Sequence, residues 1–235
     1  MYGIDRVHRV PRLWSNEELS RFAHLFHGSV VNVSAWRDED KQGSHYRSYF
    51  SHASEYVITN FDAAKRGYQG LEGELFLDLE QPLPASLRDR FDVAFNHTTL
   101  EHVYDFRTAF SNICALSKDI VIIVVPFVQQ MHTYYGDFWR FSPQALARMF
   151  SEEGLEVGYL SFNNNFRTSV YIFCIATKKR EKWSNCFPFE YSIVDSRLDF
   201  LREPFVGCNA IHSNWVSAFK ARTASLWNRK ASRPK

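Results

Sequence analysis

The sequence predicts an α/β fold: a Rossmann-like, doubly wound, mostly parallel seven-stranded sheet with an antiparallel hairpin at one edge and a C-terminal helical extension. Three observations carry that expectation. Apolar segments of strand length recur along the first three quarters of the chain: SVVNVSA, EYVITNF, ELFLDL, RFDVAFN and the strongly apolar DIVIIVVPF. Helical patterns alternate with several of them, as in a parallel sheet covered on both faces. Two last segments, LEVGYLSF and SVYIFCIATKK, are separated by the polar turn NNN, which marks a hairpin.

Taken in order, the elements have local reasons. Ser15 followed by Glu18 reads as a capping box, and Leu19, Phe22, Ala23 and Phe26 share one helical face, so a helix is expected over 16–27. The first four strands follow, and then DFRTAFSNICALS places Phe106, Ala109, Phe110 and Ile113 at helical spacing before the fifth. Ser142 caps the next helix, Pro143 suits its first turn and Gly154 ends it. After Lys182 the periodicity fades, returning with Ile211, Trp215 and Phe219 at i, i+4, i+8. The chain therefore divides into a domain over 1–180 and an extension over 181–235 with a basic tail.

Composition narrows the class. With 235 residues, 45% hydrophobic and 23% charged, the chain is long enough for one substantial core. No Asp or Glu follows Glu203, whereas Lys220, Arg222, Arg229, Lys230, Arg233 and Lys235 do. Because the total is only +2, a net acidic body carries a basic tail. Cys114, Cys174, Cys186 and Cys208 form no CxxC pair, which argues against a zinc site or disulfide framework. Cys114 and Cys174 sit in apolar runs and read as buried thiols. The N-terminus lacks the pattern of a secretory signal, and IVIIVVPFV is too short to span a bilayer, so a reducing, cytoplasmic location is expected.

In parallel sheets, ligands bind beyond the carboxyl ends of the strands. Ser34, Ala35 and Trp36 follow the first strand, Asn60 and Asp62 the second, Asp78 the third, and Asn96, His97, Thr98 and Thr99 close or follow the fourth. The fifth leads into the polar, aromatic loop VQQMHTYYGDFWRF.

Here the chain resembles class I S-adenosylmethionine-dependent methyltransferases over roughly residues 29–177. FDVAFNHTTLEHVYDFRTAFSNI is similar to the family's segment after strand four, ending in Leu-Glu-His, and LFLDLEQPLP to its adenine-side acidic segment. PFVQQMHTYYGDFWRFSPQALARMFSEEGLEV resembles a branch associated with bacterial surface-polysaccharide and glycan-modifying methyltransferases. The resemblance implies S-adenosylmethionine as cofactor, with Asp78 near the adenine and Asn96 and His97 on the methionine side. In the family a Gly-x-Gly turn follows strand one, whereas this chain has Ser34-Ala35-Trp36. Trp36 either walls the site or packs in the core. The acidic ribose ligand that usually ends strand two is also displaced. Asn60 stands nearest that position and Asp62 two residues later, where it accepts from the ribose or caps the next helix.

On the acceptor side, the resemblance makes His132 the candidate base, with Asp137 to orient it, unless both only tie the loop down. His102 is the runner-up base or a positioning group. Arg140 meets an acidic substrate group or pairs with Glu101 or Asp137, and Tyr134 and Tyr135 offer faces for a sugar. Trp139 reads as core. No carboxylate pair has convincing metal-site spacing, and no metal is expected. The implied function is O-methylation of a saccharide hydroxyl in surface-polysaccharide or glycan assembly. Its rivals are a degenerate methyltransferase-fold scaffold and a methyltransferase for small molecules or lipids. The basic tail reads as a packed terminal helix, also suited to a homodimer interface, or as a peripheral contact with the inner face of the membrane. A nucleic-acid partner is not expected.

Overall fold

The computed structural model describes residues 9–62, 67–131, 136–163, 168–196 and 204–208. Seven strands form one sheet: β1 (Gly28–Val33), β2 (Ala53–Asn60), β3 (Glu74–Phe76), β4 (Phe91–His97), β5 (Ser117–Val128), β6 (Glu156–Phe162) and β7 (Val170–Thr177). Their spatial order is β3-β2-β1-β4-β5-β7-β6. All pairings among β1 to β5 are parallel, and β7 alone runs antiparallel to both of its neighbours. The expected doubly wound sheet with its reversed edge hairpin is thus present. Asn163 closes that hairpin, its side chain accepting from Tyr171 N at 2.6 Å and donating to Ser169 O at 2.8 Å.

Among the described residues, the sheet is accompanied by α1 (Arg9–Phe22), α2 (Phe106–Leu116), α3 (Pro143–Glu152) and the short α4 (Arg180–Trp183). Asp105 caps α2 by accepting from Thr108 N, and Ser142 caps α3 by accepting from Ala145 N, with Pro143 in the first turn. The capping box at Ser15 is a correction. The helix is already formed at Arg9, so Ser15 lies inside it and Glu18 is not at its N-terminus. The helix also ends earlier than residue 27, giving way to a 3₁₀ turn over Ala23–Leu25. The expected apolar face is present: Leu19, Phe22, Ala23 and Phe26 are all buried.

Strand β5 shows how the two faces are filled. Ile120, Ile122 and Val124 point into a layer with α1, Tyr46, Phe50, Trp183 and Phe187, whereas Val121, Ile123 and Val125 point into a layer with α2 and α3. Each such aliphatic side chain contributes about 1.5–3 kcal/mol by full burial. Trp183 and Phe187, just beyond residue 180, are buried and stack at 5.5 Å, with Phe26 edge-on to Trp183. Between β1 and β2 there is no α-helix. A loop with a 3₁₀ turn over Tyr46–Tyr49 takes its place and supplies Tyr46 and Phe50 to the core. Cys114 and Cys174 are buried as expected. No described helix is long and apolar enough to cross a membrane. The terminal helix expected around Ile211, Trp215 and Phe219, and the basic tail, lie outside the described residues.

Candidate functional site

The chain winds outward from β1 through β2 to β3 and then resumes at β4 on the other side of β1. The carboxyl ends of β1 and β4 therefore form the switch point, where a parallel sheet leaves an open crevice. Ser34–Trp36 and Asn96–Thr98 meet there, Asn96 lying beside Val33 in the sheet.

The turn after β1 keeps a backbone that glycine would normally serve. Ser34 and Trp36 both adopt positive φ, at 57° and 53°, and Asp38 follows at 62°. A left-handed conformation costs about 1–2 kcal/mol in a residue bearing a Cβ. The surrounding bonds hold it. Ser34 N donates to Thr59 Oγ1 at 3.1 Å and Ala35 N to Thr59 O at 3.1 Å. Asn60 grips both sides of the next residue, Oδ1 accepting from Trp36 N at 2.6 Å and Nδ2 donating to Trp36 O at 3.0 Å. The remaining Asn60 donor goes to Glu74 Oε1 at 2.6 Å. Burial raises the Glu74 carboxyl, but bonds from Asn60 and from the Leu71, Gln69 and Gly70 amides outweigh it and hold the group below its ordinary value. Trp36 is only half-buried, with Lys41 Nζ over its ring at 4.6 Å, and it belongs to neither core layer.

Two buried carboxylates organise the rest of this loop. Asp38 accepts from Asn32 Nδ2, Tyr56 OH and Arg47 N at 2.6–2.8 Å. Asp40 accepts from Gln42 N, Ser44 N and Tyr49 OH. Neither was singled out from the sequence, because a run such as DED reads as solvated charge until its partners are seen.

At the end of β4, Asn96 is fully buried. Its Nδ2 donates to Val33 O at 3.0 Å, and its Oδ1 has no hydrogen-bond partner. His97 is bound on both ring nitrogens. Ser15 Oγ spends its proton on Arg12 O at 2.9 Å, so the 2.8 Å contact with His97 makes Nε2 the donor. Nδ1 then accepts from Thr98 Oγ1 at 3.1 Å, and Thr98 Oγ1 accepts from Arg12 Nη2 at 2.9 Å. The ring closes through α1 and locks one neutral tautomer. Burial and the nearby Arg12 charge both push the His97 pKa well below the ordinary value. Asp78 lies just past β3, half-buried, with Oδ1 accepting from Glu80 N at 2.9 Å. Asp62 is exposed, at φ 46°.

The Leu100–His102 turn and residues 136–140 form one braced unit. His102 Nδ1 donates to Gly136 O at 2.6 Å, while Glu101 O accepts from Phe138 N at 2.8 Å and Trp139 N at 3.3 Å. Arg140 pairs with Asp137 through both guanidinium ends, at 2.5 and 2.7 Å. Its other donors reach Gln129 O, Trp139 O and Gln130 O, so all five N–H groups are used within the protein. Of the two salt-bridge partners expected for Arg140, the structure selects Asp137. Trp139 packs partly buried against the α2–α3 layer and donates to Tyr104 O. His132, Tyr134 and Tyr135 lie outside the described residues.

Glu101 is the strongest electrostatic feature of this unit. Its side chain is 1% exposed, Oε2 has no partner, and Oε1 lies 3.7 Å from His102 Nε2. Burial lifts the carboxyl to about 8 despite the opposing charges of Arg140 and Arg12, and burial also lowers His102. The folded chain therefore keeps a proton that the unfolded chain releases near pH 4.5. Stability falls as pH rises between those values, by up to about 1.4 kcal/mol per pH unit. Glu101→Gln is expected to flatten that dependence in urea unfolding measured from about pH 5 to 8. An unchanged slope would mean that the folded carboxyl is ionised.

The sheet order, the single reversed strand and the crevice between β1 and β4 define a Rossmann-like methyltransferase fold. No protein-family model and no curated protein matches the sequence. Solved structures do. One is a chain from the complex between the Haloferax volcanii Trm112 methyltransferase activator and a methyltransferase, at 12% identity and TM-score 0.52, covering 71% of this chain and 90% of that one. Another is magnesium protoporphyrin IX methyltransferase from Synechocystis PCC 6803 with bound S-adenosylmethionine, at 11% identity and TM-score 0.51, covering 76% and 85%. At such identities the likeness establishes the fold.

Proposed function

We propose that the chain is an S-adenosylmethionine-dependent O-methyltransferase whose acceptor is a saccharide hydroxyl. One observation carries the cofactor part: the fully buried Asn96 Oδ1, an acceptor without a partner, stands at the switch point beside a β1 turn held in left-handed geometry. A buried acceptor left unmade costs about 1–3 kcal/mol, which a ligand donor recovers. The turn fits the same ligand. Ser34 and Ala35 are small, and Trp36 is not packed into the core. Asp78 supports the adenine end, and Asp62 the ribose end in preference to Asn60, whose donors serve Trp36 and Glu74.

When bound, S-adenosylmethionine supplies an electrophilic methyl group on a sulfonium. The protein's part is to place an acceptor oxygen in line with it, an arrangement able to contribute about 7–11 kcal/mol. His132 takes the acceptor's proton, a step that typically contributes about 10²–10⁴-fold. Asp137, fixed by Arg140, stands in the same loop to orient it. His102, tied to Gly136 O, positions that loop. Tyr134 and Tyr135 are assigned to sugar recognition by the same resemblance. The saccharide acceptor rests on the resemblance of residues 126–157 to glycan-modifying methyltransferases. A cytoplasmic site of action, at the inner membrane face if the basic tail docks there, belongs to the same proposal.

A catalytically silent scaffold is the second reading, favoured by the closed bonding of Asn60 and His97. Incubation with methyl-labelled cofactor and separate glycan, lipid and metabolite fractions tests the acceptor. Label is expected in the glycan fraction. Label confined to lipid or metabolites would replace the saccharide, and none anywhere would favour the scaffold. His132→Ala is expected to slow turnover with cofactor affinity intact, and Asp78→Ala to weaken the cofactor. A fully active His132→Ala protein would remove the base assignment.

A further inference from the structure

Arg12 has no role in the reading above beyond its part in the ring around His97, and its surroundings do not account for it. Its guanidinium reaches the carboxyl end of β4, where Nη2 donates to Thr98 Oγ1 at 2.9 Å, and Nη1 donates to Tyr46 OH at 2.9 Å. Both partners are neutral hydroxyls. Of five N–H donors, three remain. Among the described residues no carboxylate lies within salt-bridge distance of it. The two nearby acids do not compensate its charge. Asp40 turns its carboxylate into its own loop, accepting from Gln42 N, Ser44 N and Tyr49 OH. Glu101 is fully buried and forms no ion pair with it.

A half-buried cation without a counter-ion is costly, and buried charges are ordinarily paired. Two hydroxyl contacts return little of that cost. Arg12 also lines a pocket of about 390 Å³, together with Leu13, Asp40, Lys41 and Gln42, so a second cation stands on the same wall. Lys41 is held there by Glu39 at 2.9 Å and by the Trp36 ring. The pocket thus borders the turn after β1, and the guanidinium borders the end of β4.

We infer that Arg12 is the receptor for an acidic group, carboxylate or phosphate, of a ligand bound at this end of the sheet. A guanidinium with three vacant donors suits a planar or tetrahedral oxyanion through charge-assisted bonds. The acid belongs either to the amino-acid end of the cofactor or to the acceptor, and the first source rests on the function proposed above. Arg12 acts here as a binding group and touches no reacting atom.

Titration calorimetry on the full chain, comparing wild type with Arg12→Gln and Arg12→Lys, separates the sources. The probes are S-adenosylhomocysteine, 5′-methylthioadenosine (which lacks the carboxylate), inorganic phosphate and glucuronate. If the acid is the cofactor's, Arg12→Gln weakens S-adenosylhomocysteine by at least about tenfold and leaves methylthioadenosine unchanged. If it is the acceptor's, both nucleosides bind as before, and saturable binding of phosphate or glucuronate is lost. In either case Arg12→Lys recovers part of the effect. Loss of a merely structural contact would weaken all four probes alike, and that result overturns the inference. So do equal affinities in wild type and Arg12→Gln. Should Arg12→Gln fail to fold, a selective loss for acidic probes in Arg12→Lys decides in its place. Binding of phosphate or glucuronate needs no methyltransferase activity, so it stands even if no nucleoside binds.

Discussion

Arg140→Met is expected to destabilise the protein by about 3–5 kcal/mol and to abolish any activity that depends on the loop after β5. The estimate follows from what the substitution strands. The Asp137 side chain is 1% exposed and receives both ends of the guanidinium. Removing the guanidinium takes a bidentate, charge-assisted pair from a buried carboxylate, which costs far more than the pair's net contribution. Three carbonyls, of Gln129, Gln130 and Trp139, lose their donor as well. Denaturant unfolding of the two proteins checks it, and a loss below about 1 kcal/mol would show that Asp137 finds other partners. Arg140→Lys should recover only part, because one ammonium cannot meet two carboxylate oxygens and three carbonyls together.

Asn60→Asp is expected to cost about 2–4 kcal/mol, with the penalty growing above the carboxylate range. The substitution is nearly isosteric, yet it removes both donors. It loses the bond to Trp36 O and sets a second carboxylate against Glu74 Oε1, 2.6 Å away in the native chain. Two like charges at that distance cannot both remain ionised, so one is protonated in the folded protein and released on unfolding. Stability then declines as pH rises, and the variant should approach wild type near pH 4–5. Thermal melts across pH read this directly, and a penalty independent of pH would place the loss elsewhere. The same change should loosen Trp36, whose left-handed φ of 53° has Asn60 bonded to both its N–H and its carbonyl.

The strands, the caps of α2 and α3 and the reversed hairpin were legible because each has a local cause: an apolar run, a side chain reaching an amide, a polar turn. The start of α1 was not. Ser15 and Glu18 have capping-box spacing, but Ser15 bonds the helix's own Arg12 carbonyl and a histidine 82 residues away. Nothing local distinguishes that use from a cap. The crevice between β1 and β4 was legible in outline, since strand ends can be counted. Its electrostatics were not. Asp38, Asp40 and Glu74 are buried by contacts from distant segments, and Arg12 acquires meaning only once β4 lies across from α1. Serine and tryptophan in left-handed turns were likewise invisible, because the usual sign of that backbone is glycine.

The central claim is that a turn without glycine still admits an adenosyl sulfonium cofactor at the switch point. Calorimetric titration with S-adenosylhomocysteine tests it most directly. Saturable one-to-one binding is expected, weakened by Asp78→Ala. An absence of heat, and of thermal stabilisation, at millimolar ligand would contradict it and leave a methyltransferase fold without its cofactor.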